Sequence, residues 1–376
     1  MPGALDGIRI IEFAGIGPGP FCGMMLADHG AEVIRIDRPG ARLDPVDALS
    51  RSRRSICLDI KSPAGRDIAR ALCGTADGLI EGFRPGVMER LGLGPDALTG
   101  DNPRLVYGRM TGWGQDGPLA QAAGHDINYI ALSGVLHTVG PAGGKPVPPV
   151  NYVGDFGGGA MMLAFGMVSA LLAVRMGRPG QVVDAAMSDG SALIAAMTYA
   201  FHASGRWRDE RGVNVLDGGA HFYDTFACAD GRYVAIGSIE APFYRQLREA
   251  LGIADDPAFD VQLNPATWPE LKARIADIFR SRSRDEWCAV MEGTDICFAP
   301  VLSLTEAPAH PHNVARGTFA TVNGAIQPAP HPRFAVTPAP PPRGAGPAGA
   351  DSDAILGELG HDAAAIARLR AAGVVG

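Results

Sequence analysis

The fold is decided by one stretch of the chain, Ile8-Arg9-Ile10-Ile11-Glu12-Phe13-Ala14-Gly15-Ile16-Gly17-Pro18-Gly19-Pro20. Its apolar first half, Ile8 to Phe13, has the length and composition of a buried β-strand, and the glycines and prolines after it predict a tight turn. A helix through Phe21 to Asp28 comes next, and Ala31 to Asp37 is a second strand. Strand, turn, helix and strand form a βαβ unit, so we expect a Rossmann-like α/β domain built on a parallel sheet.

The same alternation of strands and helices continues along the chain, which supports one large α/β domain. The predicted elements after the first unit are, in order, helix 66–74, strand 78–81, helix 87–91, strand 105–110, helix 157–174, strand 180–187 and helix 188–204. From about Tyr223 the pattern changes to a hairpin, Tyr223 to Gly237, with its turn at Ala229-Asp230-Gly231. Helices 243–251, 268–281 and 284–292 follow it.

These patterns divide the chain into two domains. We expect a large α/β domain over residues 1–187, completed by residues 325–376, then a linker helix over 188–219 and a smaller α+β domain over 220–320. The proline-rich segment 326–349 predicts an extended connection over the surface. The tail from Asp351 to Ala372 predicts two short helices.

Composition and charge narrow the class of protein. The chain has 376 residues, of which 47% are hydrophobic and 19% charged, as expected for a globular enzyme with two cores. A net charge of −7 argues against a nucleic-acid partner. The six cysteines show no CxxC pair and no metal-ligand spacing. Segment 157–174 just reaches the length of a membrane span, but its glycines, alanines and methionines favour a buried helix. We expect no membrane partner and a cytoplasmic location.

The glycine-rich turn also permits a dinucleotide-binding interpretation. Gly15, Gly17 and Gly19 follow the first strand, and Asp37 ends the second, where a ribose-binding acid would lie. The spacing is not GxGxxG, because Cys22 occupies the position of the third glycine. The prolines also remove amide donors that a phosphate needs. A tight turn at the edge of a pocket is the favoured interpretation.

Arginines recur at the predicted strand ends. They are Arg38, the group Arg51 to Arg54, and Arg84 and Arg90 on either side of Pro85-Gly86. Guanidinium groups bind phosphate in a bidentate fashion, so a cluster at one sheet edge suits a polyanionic ligand such as coenzyme A. The alternative is ordinary solvated charge at the ends of secondary structure elements.

Two short segments carry the acid–base chemistry, Gly124-His125-Asp126-Ile127-Asn128-Tyr129 and Gly154-Asp155-Phe156-Gly157-Gly158-Gly159. One puts a histidine before a small-residue helix, and the other puts a carboxylate before three glycines and an apolar helix. Together they predict a neutral base and a carboxylate in one pocket. The alternatives are a structural histidine and an aspartate that only caps its helix. Glu240, likewise, is a candidate surface carboxylate or cap.

The chain resembles the α-methylacyl-CoA racemases, within the larger group of family III CoA transferases, over nearly its whole length. The resemblance rests on residues 7–12, 30–37, 80–87, 107–114, 124–129, 154–155, 180–184 and 223–237. Both the racemases and the transferases carry an equivalent of Gly154-Asp155, and the transferases use the matching aspartate as a nucleophile. Gly124 to Tyr129 separates the branches, since the racemases carry a histidine there.

The resemblance implies a set of roles for named residues. His125 and Asp155 become the two catalytic bases, Glu240 the carboxylate that orients the histidine, and Asn151 the partner of the aspartate. An interlocked homodimer is also implied, with each active site completed by the partner's small domain. The positions that match the lining of the coenzyme A and acyl site are Arg38, Leu58, Asp59, Ile60, Lys61, Gly82, Phe83, Arg84, Arg90, Gly124, Asp126, Ile127, Asn128 and Tyr129.

The activity implied is racemisation of 2-methylacyl-CoA thioesters by proton transfer through an enolate, within fatty acid metabolism. Asp155 must then be protonated near neutrality, in apolar surroundings that we expect Phe156, Met161 and Met162 to supply. Backbone amides near His125 or after Asp155 are candidate donors to the enolate oxygen. No metal or redox cofactor is expected, because coenzyme A is part of the substrate. The alternatives are a CoA transferase with Asp155 as nucleophile and a non-catalytic acyl-CoA binding protein.

Overall fold

A computed structural model describes residues 3–376 and divides the chain into two compact units. One unit takes in the chain up to Ser133, together with Val150–Ile194 and Pro311–Gly376, and the other takes in Gly134–Pro149 and Ala195–His310. The predicted large domain, residues 1–187, included residues 134–149, which belong to the smaller unit instead. They join the smaller unit through Arg211, which donates from Nε to the carbonyl of His137 at 2.9 Å and from Nη1 to that of Gly144 at 2.6 Å. Partners so distant in sequence leave no local signal.

The larger unit is built on a six-stranded sheet in which every pairing is parallel. Its strands are β1 (Arg9–Phe13), β2 (Glu32–Asp37), β3 (Arg54–Cys57), β4 (Gly78–Glu81), β5 (Val106–Thr111) and β6 (Val182–Ala186). They lie in the order β3-β2-β1-β4-β5-β6. The predicted α/β fold with a Rossmann-like parallel sheet is confirmed. The order reverses between β1 and β4, and ligands of such sheets bind at the carboxyl ends beside that reversal.

Helices cover both faces of this sheet. In the larger unit they are α1 (Pro18–Asp28), α2 (Pro63–Gly74), α3 (Val87–Arg90), α4 (Pro95–Asp101), α5 (Asp126–Leu132), α6 (Met162–Arg175), α7 (Met187–Ile194), α12 (Pro311–Arg316), α13 (Ser352–Glu358) and α14 (Ala363–Ala371). The last two confirm the predicted helical tail. After them the chain runs beside β3, where Asp59 N–H donates to Val374 O and Gly376 N–H to Cys57 O, at 2.9 and 3.2 Å. The end of the chain thus covers an otherwise open sheet edge.

The segment Tyr152–Met161 is wound as a π-helix and continues directly into α6. The predicted helix therefore begins at residue 152 rather than 157, and Asp155 lies inside the helical segment instead of capping it. Glycines allow the close packing of this segment. A Cβ at Gly158 would lie 2.6 Å from the Ser191 nitrogen, and one at Gly159 would lie 2.7 Å from Cγ of Met187. Single π-turns are frequent at functional sites.

The smaller unit holds a three-stranded antiparallel sheet of β7 (Tyr223–Ala227), β8 (Tyr233–Gly237) and β9 (Phe298–Pro300). The predicted hairpin is confirmed. Its helices are α8 (Ala196–Ala203), α9 (Ala241–Ala250), α10 (Trp268–Phe279) and α11 (Arg284–Met291). Predicted helix 188–204 breaks at Ala195 into α7 and α8. The aromatic core includes Phe222, Phe259, Phe279 and Trp287, all buried.

Two further segments differ from expectation. The proline-rich segment begins with a strand, because β11 (Ala325–Pro328) pairs with β10 (Phe319–Val322) in an antiparallel hairpin before the irregular residues that follow. Within residues 3–376 one helix, Tyr152–Arg175, is long and apolar enough to cross a membrane, and half of its most apolar window is buried within the protein.

Candidate active site

A cavity of about 700 Å³ opens at the carboxyl ends of the strands, where the sheet order reverses. The turn after β1 forms one wall, from Ala14 to Pro20, and the segment after β4 forms another, from Gly82 to Pro85. His125, Asn151 and Asp155 complete the polar part of the lining. The glycine-rich turn is thus the edge of a pocket, as the sequence predicted. The first α1 residue is Pro18, a residue well suited to the first helical position because it has no N–H to satisfy.

His125 lies at the start of α5, with an extended backbone at φ −135° and ψ 172°. Its N–H donates to Oδ1 of Asn128 at 3.0 Å, so one turn of the helix holds the histidine backbone in place. The imidazole lines the cavity as an exposed side chain. A histidine placed in this way can exchange protons with a molecule in the cavity.

Asp155 is half-buried and faces the same cavity. Nδ2 of Asn151 donates to its Oδ2 at 3.0 Å, and a Cβ built on Gly17 would lie 3.5 Å from that oxygen. Burial raises the pKa of Asp155 above its ordinary value, and the charge of Asp126 adds to the rise. The hydrogen bond from Asn151 and the nearby His125 oppose this shift without cancelling it. The surroundings of Asp155 thus favour its protonated form more than water does.

An aromatic pair forms the wall between the two segments. Trp113 meets Tyr129 edge to face, with ring centroids 4.8 Å apart and planes at 83°. Two glycines make room for the pair, since a Cβ at Gly112 would lie 2.2 Å from the Tyr129 ring and one at Gly124 would lie 2.8 Å from it. Burial raises the pKa of the Tyr129 hydroxyl, and the Asp155 and Asp126 charges add to this. The tyrosine is a neutral wall of the cavity.

The apolar surroundings of Asp155 are not those predicted. Phe156 packs on Phe21 with ring centroids 4.8 Å apart, and Met161 is half-exposed on the helix surface. Neither lines the cavity, and nor does Met162, because the π-helical winding turns these residues away from it. Met110 and Met187 line the cavity in their place, together with Phe13 and Ile80.

The arginines separate into two groups. Arg51 pairs with Asp28 and Arg53 with Glu12 in buried ion pairs, and Arg54 pairs with Glu32 and Glu358. The prediction that Arg51 to Arg54 serve a polyanionic ligand is wrong, because these guanidiniums are committed to internal carboxylates. Arg84 lines the cavity as an exposed side chain. The exposed cations Arg38, Lys61 and Arg90 also follow strands of the sheet or lie in the helix after one, and like Arg84 they form no ion pair with the described residues.

The structure brings some predicted ligand-lining residues to the cavity and places others elsewhere. Gly82, Phe83, Arg84, Gly124 and Tyr129 line it, with His125, Asn151 and Asp155. The other predicted positions are not among its lining residues: Arg38, Leu58, Asp59, Ile60, Lys61, Arg90, Asp126, Ile127 and Asn128.

Two of these positions, together with Glu240, have definite places in the fold. Leu58 lies in the hydrophobic core, 1% exposed, so its side chain has no surface to offer a ligand. Asp126 is 5% exposed and bonds to the backbone of Asp155. Glu240 occupies the N-cap position of α9 in the smaller unit, without a side-chain hydrogen bond to the helix. Sequence reasoning had not singled out Trp113, Met110 or Met187 as lining residues. Their only signal was the turn of Thr111-Gly112-Trp113-Gly114 and the end of a predicted strand.

The fold and the cavity define an α/β enzyme with a histidine and a protonatable carboxyl in one site. Residues 5–352 match the family model described as CoA-transferase family III, and the chain belongs to that family. Alpha-methylacyl-CoA racemase of Mus musculus is 46% identical over 339 residues, which cover 90% of this chain and 88% of the relative. The protein of the same name from Homo sapiens shows the same identity and coverage.

More distant relatives carry other activities in their names. Succinyl-CoA:glutarate CoA-transferase of Mus musculus is 28% identical over 320 residues, which cover 80% of this chain and 73% of the relative. Among solved structures, a CAIB/BAIF family protein from Brucella suis is similar with a TM-score of 0.83 and 26% identity, covering 96% of this chain and all of that one.

Proposed function

We propose that the protein is an α-methylacyl-CoA racemase, which interconverts (R)- and (S)-2-methylacyl-CoA thioesters by moving the α-proton. The observation that carries this proposal is the pair His125 and Asp155 in one cavity, with the pKa of Asp155 raised by burial. Inversion at carbon needs a base on one face and an acid on the other. A neutral imidazole and a protonated carboxyl meet that need.

In one direction neutral His125 removes the α-proton and protonated Asp155 returns a proton to the opposite face. In the reverse direction Asp155 is the base and His125 the acid. The electron pair of the broken C–H bond moves into the thioester carbonyl, so an enolate forms and then collapses. The backbone amides of Asp126 and Ile127, at the start of α5, are proposed as the donors to the enolate oxygen, because the Asp155 amide already donates to Asp126.

Coenzyme A supplies binding energy away from the reacting carbon, which fixes the orientation of the α-carbon. The unpaired cations Arg84, Arg38, Arg90 and Lys61 suit its phosphates, because guanidinium and ammonium groups bind phosphate through charge-assisted hydrogen bonds. The acyl chain would lie against Met110, Met187 and the turn after β1. Coenzyme A enters as part of the substrate, and we propose no further cofactor.

A homodimer forms part of the proposal. Five large apolar side chains, exposed by 41–76%, share one face of the helical run at positions 161, 165, 168, 172 and 176. Positions with these spacings align on a helix, and a contiguous apolar face is suited to burial against a partner. We propose that a second copy covers it, rather than a membrane. Glu240, supplied by that copy, is proposed to orient His125. A cytoplasmic enzyme of fatty acid metabolism fits this substrate.

The second candidate function is acyl transfer with Asp155 as nucleophile. The 28% identical relative named as a CoA-transferase favours it, whereas the two 46% identical relatives named as racemases favour proton transfer. The test is incubation with a 2-methylacyl-CoA and hydroxylamine, with and without an added free acid. A racemase loses enantiomeric purity of the thioester without the acid and keeps its activity in hydroxylamine. Acyl transfer that requires the added acid, together with trapping of an acyl group on Asp155 by hydroxylamine, would establish the transferase.

A further inference from the structure

Asp126 is a buried carboxylate that reaches from the first residue of α5 to the neighbouring π-helical segment. Its Oδ1 accepts a hydrogen bond of 2.7 Å from the backbone N–H of Asp155. Only 5% of the residue is exposed. The contact joins two segments 29 residues apart in sequence, and these are the segments that carry the proposed acid and base. Asp126 therefore helps to set where Asp155 stands relative to His125.

The close approach depends on the residue before Asp155. A Cβ built on Gly154 would lie 2.5 Å from Oδ1 of Asp126 and 3.2 Å from its Cα. Any side chain at position 154 would push the carboxylate away from the amide that it binds. The close approach of Asp126 thus explains why the Gly154-Asp155 motif needs a glycine at position 154.

The second oxygen of this carboxylate is unusual. Oδ2 of Asp126 is buried and has no hydrogen-bond partner among residues 3–376. One hydrogen bond to a backbone amide leaves much of the negative charge unneutralised in a site of low polarity. That charge acts on its surroundings, and it raises the pKa of both Asp155 and Tyr129.

The other ionisable groups near Asp155 are few. His125 favours the ionised form of Asp155. Three elements that pack against the π-helical segment carry acidic groups with other partners. Asp189 of α7 is exposed and accepts from Ser188, Asp28 of α1 pairs with Arg51, and Asp184 of β6 accepts from the N–H of Gln115. Asp126 is thus the acidic neighbour that opposes ionisation of Asp155.

We propose that Asp126 is a positioning residue of the reaction: it anchors the Asp155 backbone and, as a fixed buried negative charge, disfavours a second negative charge on Asp155. Its carboxylate does not touch the substrate, and it acts through Asp155. The assignment rests on the proposed racemase function. It replaces the ligand-lining role that the family resemblance implied for this residue.

The test is the pH profile of kcat/KM for α-hydrogen exchange in Asp126→Asn, with Asp96→Asn as the control. Asparagine keeps the shape and an oxygen acceptor but removes the charge, so the basic limb of the profile, where Asp155 loses its proton, should move down by about one pH unit. Asp96 is an exposed acid in the first turn of α4, and its variant should keep the wild-type profile. Gly154→Ala would place a Cβ against the Asp126 carboxylate and displace it, so this variant should shift the same limb in the same direction.

The outcomes separate this inference from the proposed function. A wild-type enzyme without α-hydrogen exchange would overturn the function itself. An active wild type, with a basic limb that stays in place in folded Asp126→Asn, would overturn the role of Asp126 alone. A loss of kcat with no change in the pH profile would also overturn it, because that result describes a purely structural residue.

Discussion

Asn151 and Asp155 are joined by a hydrogen bond of 3.0 Å from Nδ2 to Oδ2, across one turn at the start of the π-helical segment. This bond lowers the pKa of Asp155, against the larger effect of burial. Asn151→Ala removes the donor, so the pKa of Asp155 should rise further and the basic limb of kcat/KM, where Asp155 loses its proton, should move to higher pH. The shift is opposite in sign to that expected for Asp126→Asn. An unmoved or lowered limb would contradict the role of Asn151.

The two-base mechanism predicts a non-additive pair of variants. His125→Ala and Asp155→Ala should each reduce racemisation by about 10²–10⁴-fold or more, because either loss removes the acid or the base of a single proton relay. The double variant should resemble each single variant. Chiral analysis of the thioester over time measures the rate. A near-normal rate in either single variant would exclude the assignment.

The free cations predict a selective effect on substrate binding. Arg84→Ala should raise KM for acyl-CoA by about tenfold or more with a smaller change in kcat, since a charge-assisted bond to phosphate is lost far from the α-carbon. Arg38→Ala should act in the same direction. Arg316→Ala removes an exposed arginine at the end of α12 and serves as the control. Unchanged KM in both variants would remove these arginines from the phosphate site.

The aromatic wall of the cavity predicts a steric effect. Gly112→Ala would place a Cβ 2.2 Å from the Tyr129 ring, so it should reduce the free energy of unfolding by about 1–3 kcal/mol and lower kcat. Gly100→Ala in α4 is the matched control, because a Cβ there meets no atom within 4 Å. Thermal melts and rates of the two variants, measured side by side, test this prediction. Equal behaviour of the two variants would mean that the wall is not close-packed.

A buried histidine in the smaller unit predicts that the stability of the protein depends on pH. His221 is fully buried and hydrogen-bonded to the Tyr244 hydroxyl at 2.7 Å, and burial lowers its pKa to about 4. The unfolded chain takes up a proton near pH 6.5 and the folded chain does not, so stability should fall as the pH falls from 6.5 towards 4. The loss should approach about 3 kcal/mol, at 1.36 kcal/mol for each pKa unit.

His221→Phe should flatten this dependence in urea unfolding curves, whereas His312→Gln, which changes an exposed histidine, should keep it. A wild-type stability that stays level from pH 6.5 to 4 would contradict the burial of a neutral His221.

The sequence predicted the features that depend on neighbouring residues. Runs such as Ile8 to Phe13 and Gly78 to Glu81 identified the parallel sheet, and His125 and Asp155 were found through short segments. The features that the sequence did not predict depend on contacts between residues that are distant in the chain. Arg53 and Glu12 are 41 residues apart, and Arg54 and Glu358 are 304 apart, so no local pattern marked these arginines as internal partners. The π-helical winding around Asp155 escaped for the same reason, since packing against α7 sets it.

The most direct test of the racemase account is α-hydrogen exchange of pure (S)-2-methylacyl-CoA in D₂O, followed by NMR and chiral analysis. The account predicts deuterium at the α-carbon together with loss of enantiomeric purity, without any acceptor acid, and loss of both in Asp155→Ala. Retention of the α-hydrogen and of configuration in the wild type, with acyl transfer once a free acid is added, would contradict it.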